Sequence, residues 1–170
     1  MTTNFIHCVC GPIAAGKSTL ARSLAEETSG VRFAIDEWMN ALYGPDRPEQ
    51  MNMGWVAPRL ARCHEMMWSV ASQVIARSRN VVLEYGLTTH AEREAFRARA
   101  GAAGHCVKMH FIDASRDVRL ARLARRNLDR GETFSFEVTP AMFEFMESRY
   151  EAPSADERSM AASWIGNSGD

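Results

Sequence analysis

The chain has 170 residues, 46% hydrophobic and 24% charged, the balance of one globular domain large enough to bury a substantial core. Its net charge of −1 argues against a general nucleic-acid-binding surface. No apolar run approaches the roughly 18 residues of a membrane span. The charge is unevenly placed: residues 1–115 carry +1, residues 116–130 carry +4 from six Arg and two Asp, and residues 131–170 carry −6. A single compact positive block suits a small polyanion such as a triphosphate. The four Cys, at positions 8, 10, 63 and 106, form no C-x-x-C pair, and no basic-then-apolar leader opens the sequence, so a reducing cytoplasm is expected.

Phe5–Cys10 is apolar apart from His7 and reads as a buried strand. Gly11-Pro12-Ile13-Ala14-Ala15-Gly16-Lys17-Ser18-Thr19 follows and matches the phosphate-loop pattern G-x-x-x-x-G-K-S/T. Leu20, Ala21, Leu24 and Ala25 then recur at helical spacing, so the loop has the strand and helix that its mechanism requires. Glycines let successive N–H groups turn toward one anion, and the helix N-terminus adds partial positive charge. Lys17 is placed to reach the β- and γ-phosphates and Ser18 to ligate Mg²⁺, with Gly11, Ala14, Ala15, Gly16 and Thr19 completing the nucleotide cradle. Among 18 Arg the chain has only two Lys, and one of them is Lys17, where a compact point charge is needed.

Val31–Ile35 reads as a second strand ending on Asp36-Glu37, and Trp38, Met39 and Leu42 continue as a helix stopped by Tyr43-Gly44-Pro45. Residues 44–54 are loop-like, and a long helix is expected from about Pro58 to Ser78. Met51, Met53 and Trp55 are candidates for an adaptable acceptor pocket, whereas Met66, Met67 and Trp68 suit packing of that helix. Val81-Val82-Leu83-Glu84 is typical of a strand buried in a parallel sheet. Thr89-His90-Ala91-Glu92 is a capping box opening a helix that ends near Gly101–Gly104, and Cys106–Ile112 is the next strand. Ser115 can cap a helix to about Arg130 with Gly131 as its stop. Thr139-Pro140 starts another helix, ended by Pro153. Ser159–Ile165 is the fifth strand, followed by a frayed polar end.

Strands alternating with helices imply a parallel α/β sheet with helices on both faces. Ligands bind beyond the carboxyl ends of such strands, where the phosphate loop, Asp36 and Glu84 converge. Asp36 has two readings, a base for an acceptor hydroxyl or a helix N-cap. Glu84 is either a carboxylate for Mg²⁺ or its water, or a strand-end surface acid. Arg119, Arg122, Arg126 and Arg130 form one stripe at steps of three and four, which serves either as a lid over the transferring phosphate or as a solvated face paired with Asp117 and Asp129. The five His have no metal-ligand spacing.

Five pieces in order, GPIAAGKST, FAIDEWM, VVLEYGLTTHAERE, HFIDASRDVRLARLARRNLDRG and FEFMESRYEAP, give residues 5–153 a resemblance to the P-loop kinase group of 5′-polynucleotide kinase, chloramphenicol phosphotransferase and zeta toxin. The resemblance implies a P-loop NTPase fold with a five-stranded parallel sheet in the order 2-3-1-4-5. It further implies Asp36 as the base and Arg126 and Arg130 as lid arginines near nucleotide and phosphate, with Arg122 fitting a related lid pattern. Arg93 matches an Arg common after the third strand. Glu84 stands where the group often has Asp, so a water-mediated role toward the metal is favoured over direct contact. The leading expectation is therefore a single kinase domain, with a lid at about 116–137 and an acceptor region at about 36–68. It would use ATP and Mg²⁺ to phosphorylate a hydroxyl of a small molecule, with Lys17, Asp36 and Arg130 catalytic. A 5′-hydroxyl polynucleotide kinase and a nucleotide-binding switch are the alternatives.

Overall fold

A computed structural model describes residues 3–49, 52–129 and 137–166. Its elements in chain order are β1 (Phe5–Cys10), α1 (Lys17–Thr28), β2 (Val31–Ala34), α2 (Ile35–Tyr43), α3 (Met53–Ile75), β3 (Val81–Glu84), α4 (His90–Ala102), β4 (Cys106–Asp113), α5 (Arg116–Asp129), α6 (Pro140–Arg149), α7 (Ala155–Ser159) and β5 (Ser163–Gly166). The strands form one sheet in the order β2-β3-β1-β4-β5, every pair parallel. This is the expected 2-3-1-4-5 P-loop topology.

Alternation along the strands assigns each face its partner. Ile6, Cys8, Cys10, Leu83 and Phe111 pack with Cys63, Met67 and Ala71 of α3 and Phe96 of α4. Val9 and Val82 point the other way, onto Ala21, Leu20 and Leu24 of α1. Every residue of β3 is buried, which explains its unbroken apolar run. Leu123 of α5 and Phe143 of α6 make a third cluster with Val138, and it rests on Ile13 and Ala14 of the phosphate loop.

Several boundaries differ from the sequence expectation: β2 ends at Ala34, with Ile35 already in α2, and the long helix ends at Ile75 rather than near Ser78. The long helix starts at Met53 rather than near Pro58, because Asn52 caps it by accepting from the Trp55 N–H at 3.1 Å. Pro58 falls in its second turn and removes one N–H without stopping it. Residues 155–159 are a helix, α7, opened by a Ser154–Glu157 capping box, and the last strand starts only at Ser163. Met66, expected to pack, is 56% exposed, whereas Met67 is fully buried. The proposed Gly131 stop and the end beyond Gly166 lie outside the described residues.

One polar arrangement sits within the sheet itself. His7 Nδ1 and His110 Nε2 are 2.9 Å apart, with the rings stacked, and His110 Nδ1 meets Ser163 Oγ at 2.8 Å. The bond between the rings needs one nitrogen to carry a proton and the other to be bare. Burial first, then the charges of His7 and Lys108, push His110 down to about 4, and burial likewise lowers His7. The folded chain thus takes up these protons less readily than the unfolded chain, whose His titrates near 6.5. Stability contributed by the pair is complete above that value and declines as the pH falls toward about 4, by up to roughly 1.4 kcal/mol per pH unit per group. Urea midpoints measured between pH 7 and pH 5 should fall in the wild type and fall less in His110→Gln; equal slopes would contradict this account.

Candidate active site

The phosphate loop leaves β1 where the chain passes close to β4. A Cβ on Gly11 would lie 2.1 Å from the Ile112 carbonyl oxygen, so no larger residue fits without moving backbone. Ala14 and Gly16 take positive φ values of 58° and 111°, which curls the loop. The Lys17 ammonium folds back across its own loop and donates to the carbonyls of Gly11 at 3.0 Å and Pro12 at 2.8 Å. Burial pushes Lys17 down from its ordinary value, while the negative charges of Asp36 and Glu84 pull it up and Arg126 opposes them. Four of the predicted residues, from four different elements, therefore share one electrostatic neighbourhood.

Asp36 is the second residue of α2. It is not the N-cap: that position is Ala34, with no side-chain cap bond, which corrects the capping reading. The Asp36 carboxylate is exposed to the cleft, and among the described residues no hydrogen bond or salt bridge engages it. Glu37 beside it is held, because both its oxygens accept from Arg32, at 2.6 and 3.3 Å.

Glu84 is buried rather than a free surface acid, and its Oε1 accepts from Arg32 Nε at 2.6 Å. Sequence reasoning passed over Arg32, whose fork joins the end of β3 to the first turn of α2. Arg32 is raised above its ordinary value, because the hydrogen bonds and charges of Glu37 and Glu84 outweigh the largest single influence, burial, which lowers it. Glu84 Oε2 makes no hydrogen bond among the described residues.

The arginine stripe divides by role. Arg119 is buried and donates two 2.6 Å bonds to Glu147, fastening α5 to α6 instead of pairing with Asp117. Arg122 donates to the Ala15 carbonyl at 2.9 Å and so touches the phosphate loop. Arg126 faces the same cleft; its Nε is buried without a partner, and burial pushes its pKa down against the pull of Asp36. Arg125 takes the ion pair with Asp129. Arg130 lies outside the described residues, as does Met51. Arg93 serves the fold: only 1% exposed, it donates to both Glu157 oxygens and to the carbonyls of Thr88 and Glu151, tying α4 to α7.

The phosphate loop, Asp36, Glu84, Arg122 and Arg126 line one cleft of about 1540 Å³ running from the phosphate loop to the start of α3. A pocket for one small ligand is typically about 300–1,000 Å³, so this cleft has room for a nucleotide and a second molecule. No three His, Cys, Asp or Glu side chains converge as a metal cage among the described residues. Ser18, which lines the cleft at the start of α1, is the residue whose hydroxyl could hold a Mg²⁺ ion beside a bound phosphate. No helix among the described residues is long and apolar enough to cross a membrane.

A G-x-x-x-x-G-K-S/T loop between β1 and α1 of a 2-3-1-4-5 parallel sheet defines a P-loop NTPase. The chain belongs to the AAA domain family AAA_33, whose model matches residues 6–153. Among solved structures it is similar to a presumed kinase of Chloroflexus aurantiacus, at 18% identity and a TM-score of 0.71 over 97% of this chain and 88% of that one. It is also similar to Kti12 of Chaetomium thermophilum in complex with ADP-AlF3, at 16% identity and a TM-score of 0.66 over 97% and 90%. The APS kinase CysC of Mycobacterium tuberculosis, in complex with AMPPNP and APS, shares 14% identity and a TM-score of 0.65 over 100% and 92%. No curated protein matches the chain in sequence.

The Arg32 fork gives a direct test. Arg32→Met strands the buried Glu84 carboxylate and should cost roughly 3 kcal/mol of unfolding free energy in urea titrations. Adding Glu84→Gln should recover about half of that loss, because the stranded charge is gone. Additive losses in the double variant would show that the two side chains do not act as a pair.

Proposed function

We propose that the protein is an ATP- and Mg²⁺-dependent kinase that transfers the γ-phosphoryl group to a hydroxyl of a small-molecule acceptor. The observation that carries this reading is Asp36, an unengaged carboxylate on the cleft wall within the electrostatic reach of Lys17 and Arg126. A switch protein that only binds nucleotide has no need of a free carboxylate there; a kinase needs one to orient and deprotonate the acceptor hydroxyl. The structural neighbours described as kinases, one of them an APS kinase holding AMPPNP, favour the same reading. We also propose the narrower kinship with the group of 5′-polynucleotide kinase, chloramphenicol phosphotransferase and zeta toxin, and a reducing cytoplasmic setting for the free thiols.

In this reading one domain carries the nucleotide at Gly11, Ala14, Ala15, Gly16, Lys17, Ser18 and Thr19. A lid spans about 116–137 and an acceptor region about 36–68. Lys17 exchanges its loop carbonyls for phosphate oxygens and keeps the donor in register. Asp36 accepts the acceptor's proton as its oxygen approaches phosphorus in line with the leaving oxygen. Arg122 and Arg126, with Arg130 beyond them, neutralise charge on the transferring group. Ser18 and, through water, Glu84 would hold a Mg²⁺ ion, which would supply charge neutralisation for the transferring group.

ATP with Mg²⁺ should raise the melting temperature, and Lys17→Ala should abolish that shift. Asp36→Asn should bind nucleotide as the wild type does while losing about 10²–10⁴-fold in phosphoryl transfer, followed by phosphorus NMR with a panel of alcohols. Unchanged turnover in Asp36→Asn would remove the assigned base. Acceptor-free hydrolysis stimulated by a protein partner would favour a switch, and transfer to a 5′-hydroxyl oligonucleotide a polynucleotide kinase.

A further inference from the structure

The buried carboxylate at the end of β3 is held by one of its two oxygens. Alternation along β3 puts Val82 and Glu84 on the sheet face that packs against α1. Arg32 stands opposite Val82 in the register of β2, so its side chain rises from that same face. Ser18, in the first turn of α1, lines the cleft together with Glu84.

Arg32 divides its donors between two acids. Nη1 and Nη2 bind the two oxygens of Glu37, at 3.3 and 2.6 Å, which leaves Nε for Glu84. Nε donates to Glu84 Oε1 at 2.6 Å, and no hydrogen bond engages Oε2 among the described residues. The guanidinium is itself fixed: its side chain is only 16% exposed, and Arg22 of α1 approaches the same Glu37 oxygen at 3.9 Å. An Arg–carboxylate pair that serves the fold commonly uses both oxygens, as Arg119 does with Glu147. Glu84 departs from that pattern. A Glu side chain has one more torsion than Asp, and a tether on one oxygen removes that freedom for the other.

We infer that Arg32 is a positioning residue for the metal side of the cleft: by holding Oε1 of Glu84, it presents Oε2 to a water of the Mg²⁺ ion that Ser18 would ligate. Arg32 is not among the residues lining the cleft, so it acts through Glu84 alone. Partners of this kind, one step removed from a metal, commonly govern how tightly the metal is bound. A lysine would keep the charge of Arg32 but could not grip Glu37 and aim Glu84 from one planar group. The inference rests on the metal reading of Ser18 and Glu84 and adds to it a residue of β2.

The test measures binding rather than turnover. Calorimetry of the whole chain with a non-hydrolysable ATP analogue gives one dissociation constant in excess Mg²⁺ and another in EDTA. Their ratio reports what the metal contributes, and in the wild type Mg²⁺ should tighten binding more than about tenfold. Glu84→Gln and Arg32→Lys should each shrink that ratio about three- to tenfold while leaving the EDTA constant unchanged. The double variant should shrink it no further than Glu84→Gln alone, because Arg32 acts through Glu84. Glu37→Ala, at the 47%-exposed far end of the fork, should shrink it about twofold, and it decides the matter if Arg32→Lys does not fold. An unchanged ratio in Arg32→Lys or Glu37→Ala, a parallel shift of both constants, or losses that add in the double variant would overturn the positioning role alone. Equal constants in the wild type would overturn the metal reading with it, and failure of the analogue to bind at all would overturn the kinase reading.

Discussion

One guanidinium holds the functional edge of this sheet together. Arg32 starts from β2, donates Nε to Glu84 at the end of β3, and closes its fork on Glu37 in the first turn of α2. Asp36 precedes Glu37 and makes no anchoring bond of its own, so its position follows from the backbone that Arg32 and the buried Ile35 fix on either side. The same fork sets the charge balance. Asp36, Glu37 and Glu84 would be three carboxylates at one edge; with Arg32 inserted, Glu37 and Glu84 are compensated and Asp36 alone is left unengaged among the described residues. A carboxylate that is not hydrogen-bonded to its own protein is available to a ligand, and the cost of leaving it so is met by its exposure to the open cleft.

The other wall is built by the phosphate loop and α5. Gly11 passes so near the Ile112 carbonyl that β1 and β4 meet the loop without a gap. Leu123, Val138 and Phe143 pack on Ile13 and Ala14, and Arg122 donates to Ala15. The residues that would close over a transferring phosphate are thus mounted on the loop that would hold it. Arg119 adds rigidity by binding both oxygens of Glu147, so α5 and α6 are joined by an ion pair as well as an apolar cluster. Arg126 is the exception, carrying a buried nitrogen without a partner. A buried unsatisfied donor is costly unless something arrives to satisfy it, and the charge that pulls against its burial is that of Asp36.

What could be read from the sequence divides by range. The phosphate loop, the parallel sheet and the Thr89 capping box were legible because their determinants sit within about one helical turn or follow from strand–helix alternation, whereas the strand order followed from the family resemblance. Two helix starts were missed for local reasons: Pro58 looked like a first-turn residue although Asn52 supplies the cap, and the Ser154-x-x-Glu157 box that opens α7 was passed over. The arginines were not legible individually. Arg32, Arg93 and Arg119 meet Glu84, Glu157 and Glu147 across 52, 64 and 28 residues of chain, and spacing within one helix cannot announce such partners. A stripe that looked uniform in sequence holds one structural ion pair, one loop contact and one unpaired buried nitrogen.

The two ends of the cleft also differ in how tightly chemistry constrains them. At the donor end the backbone itself is the binding surface: positive φ at Ala14 and Gly16, the close approach at Gly11 and the Lys17 carbonyl bonds leave little freedom for substitution. At the acceptor end the surface is made of side chains on two helices, and several of the polar ones are engaged in holding those helices in place. Asp36 belongs to both ends, facing the phosphate loop from the first turn of the helix whose next two turns line the acceptor wall. Changing Met39 or Met53 would reshape what lies against Asp36 without disturbing the Lys17 loop or the Arg32 fork. In the proposed reading, reaction type and acceptor preference are therefore carried by separate sets of residues, and only the first set has a local sequence pattern.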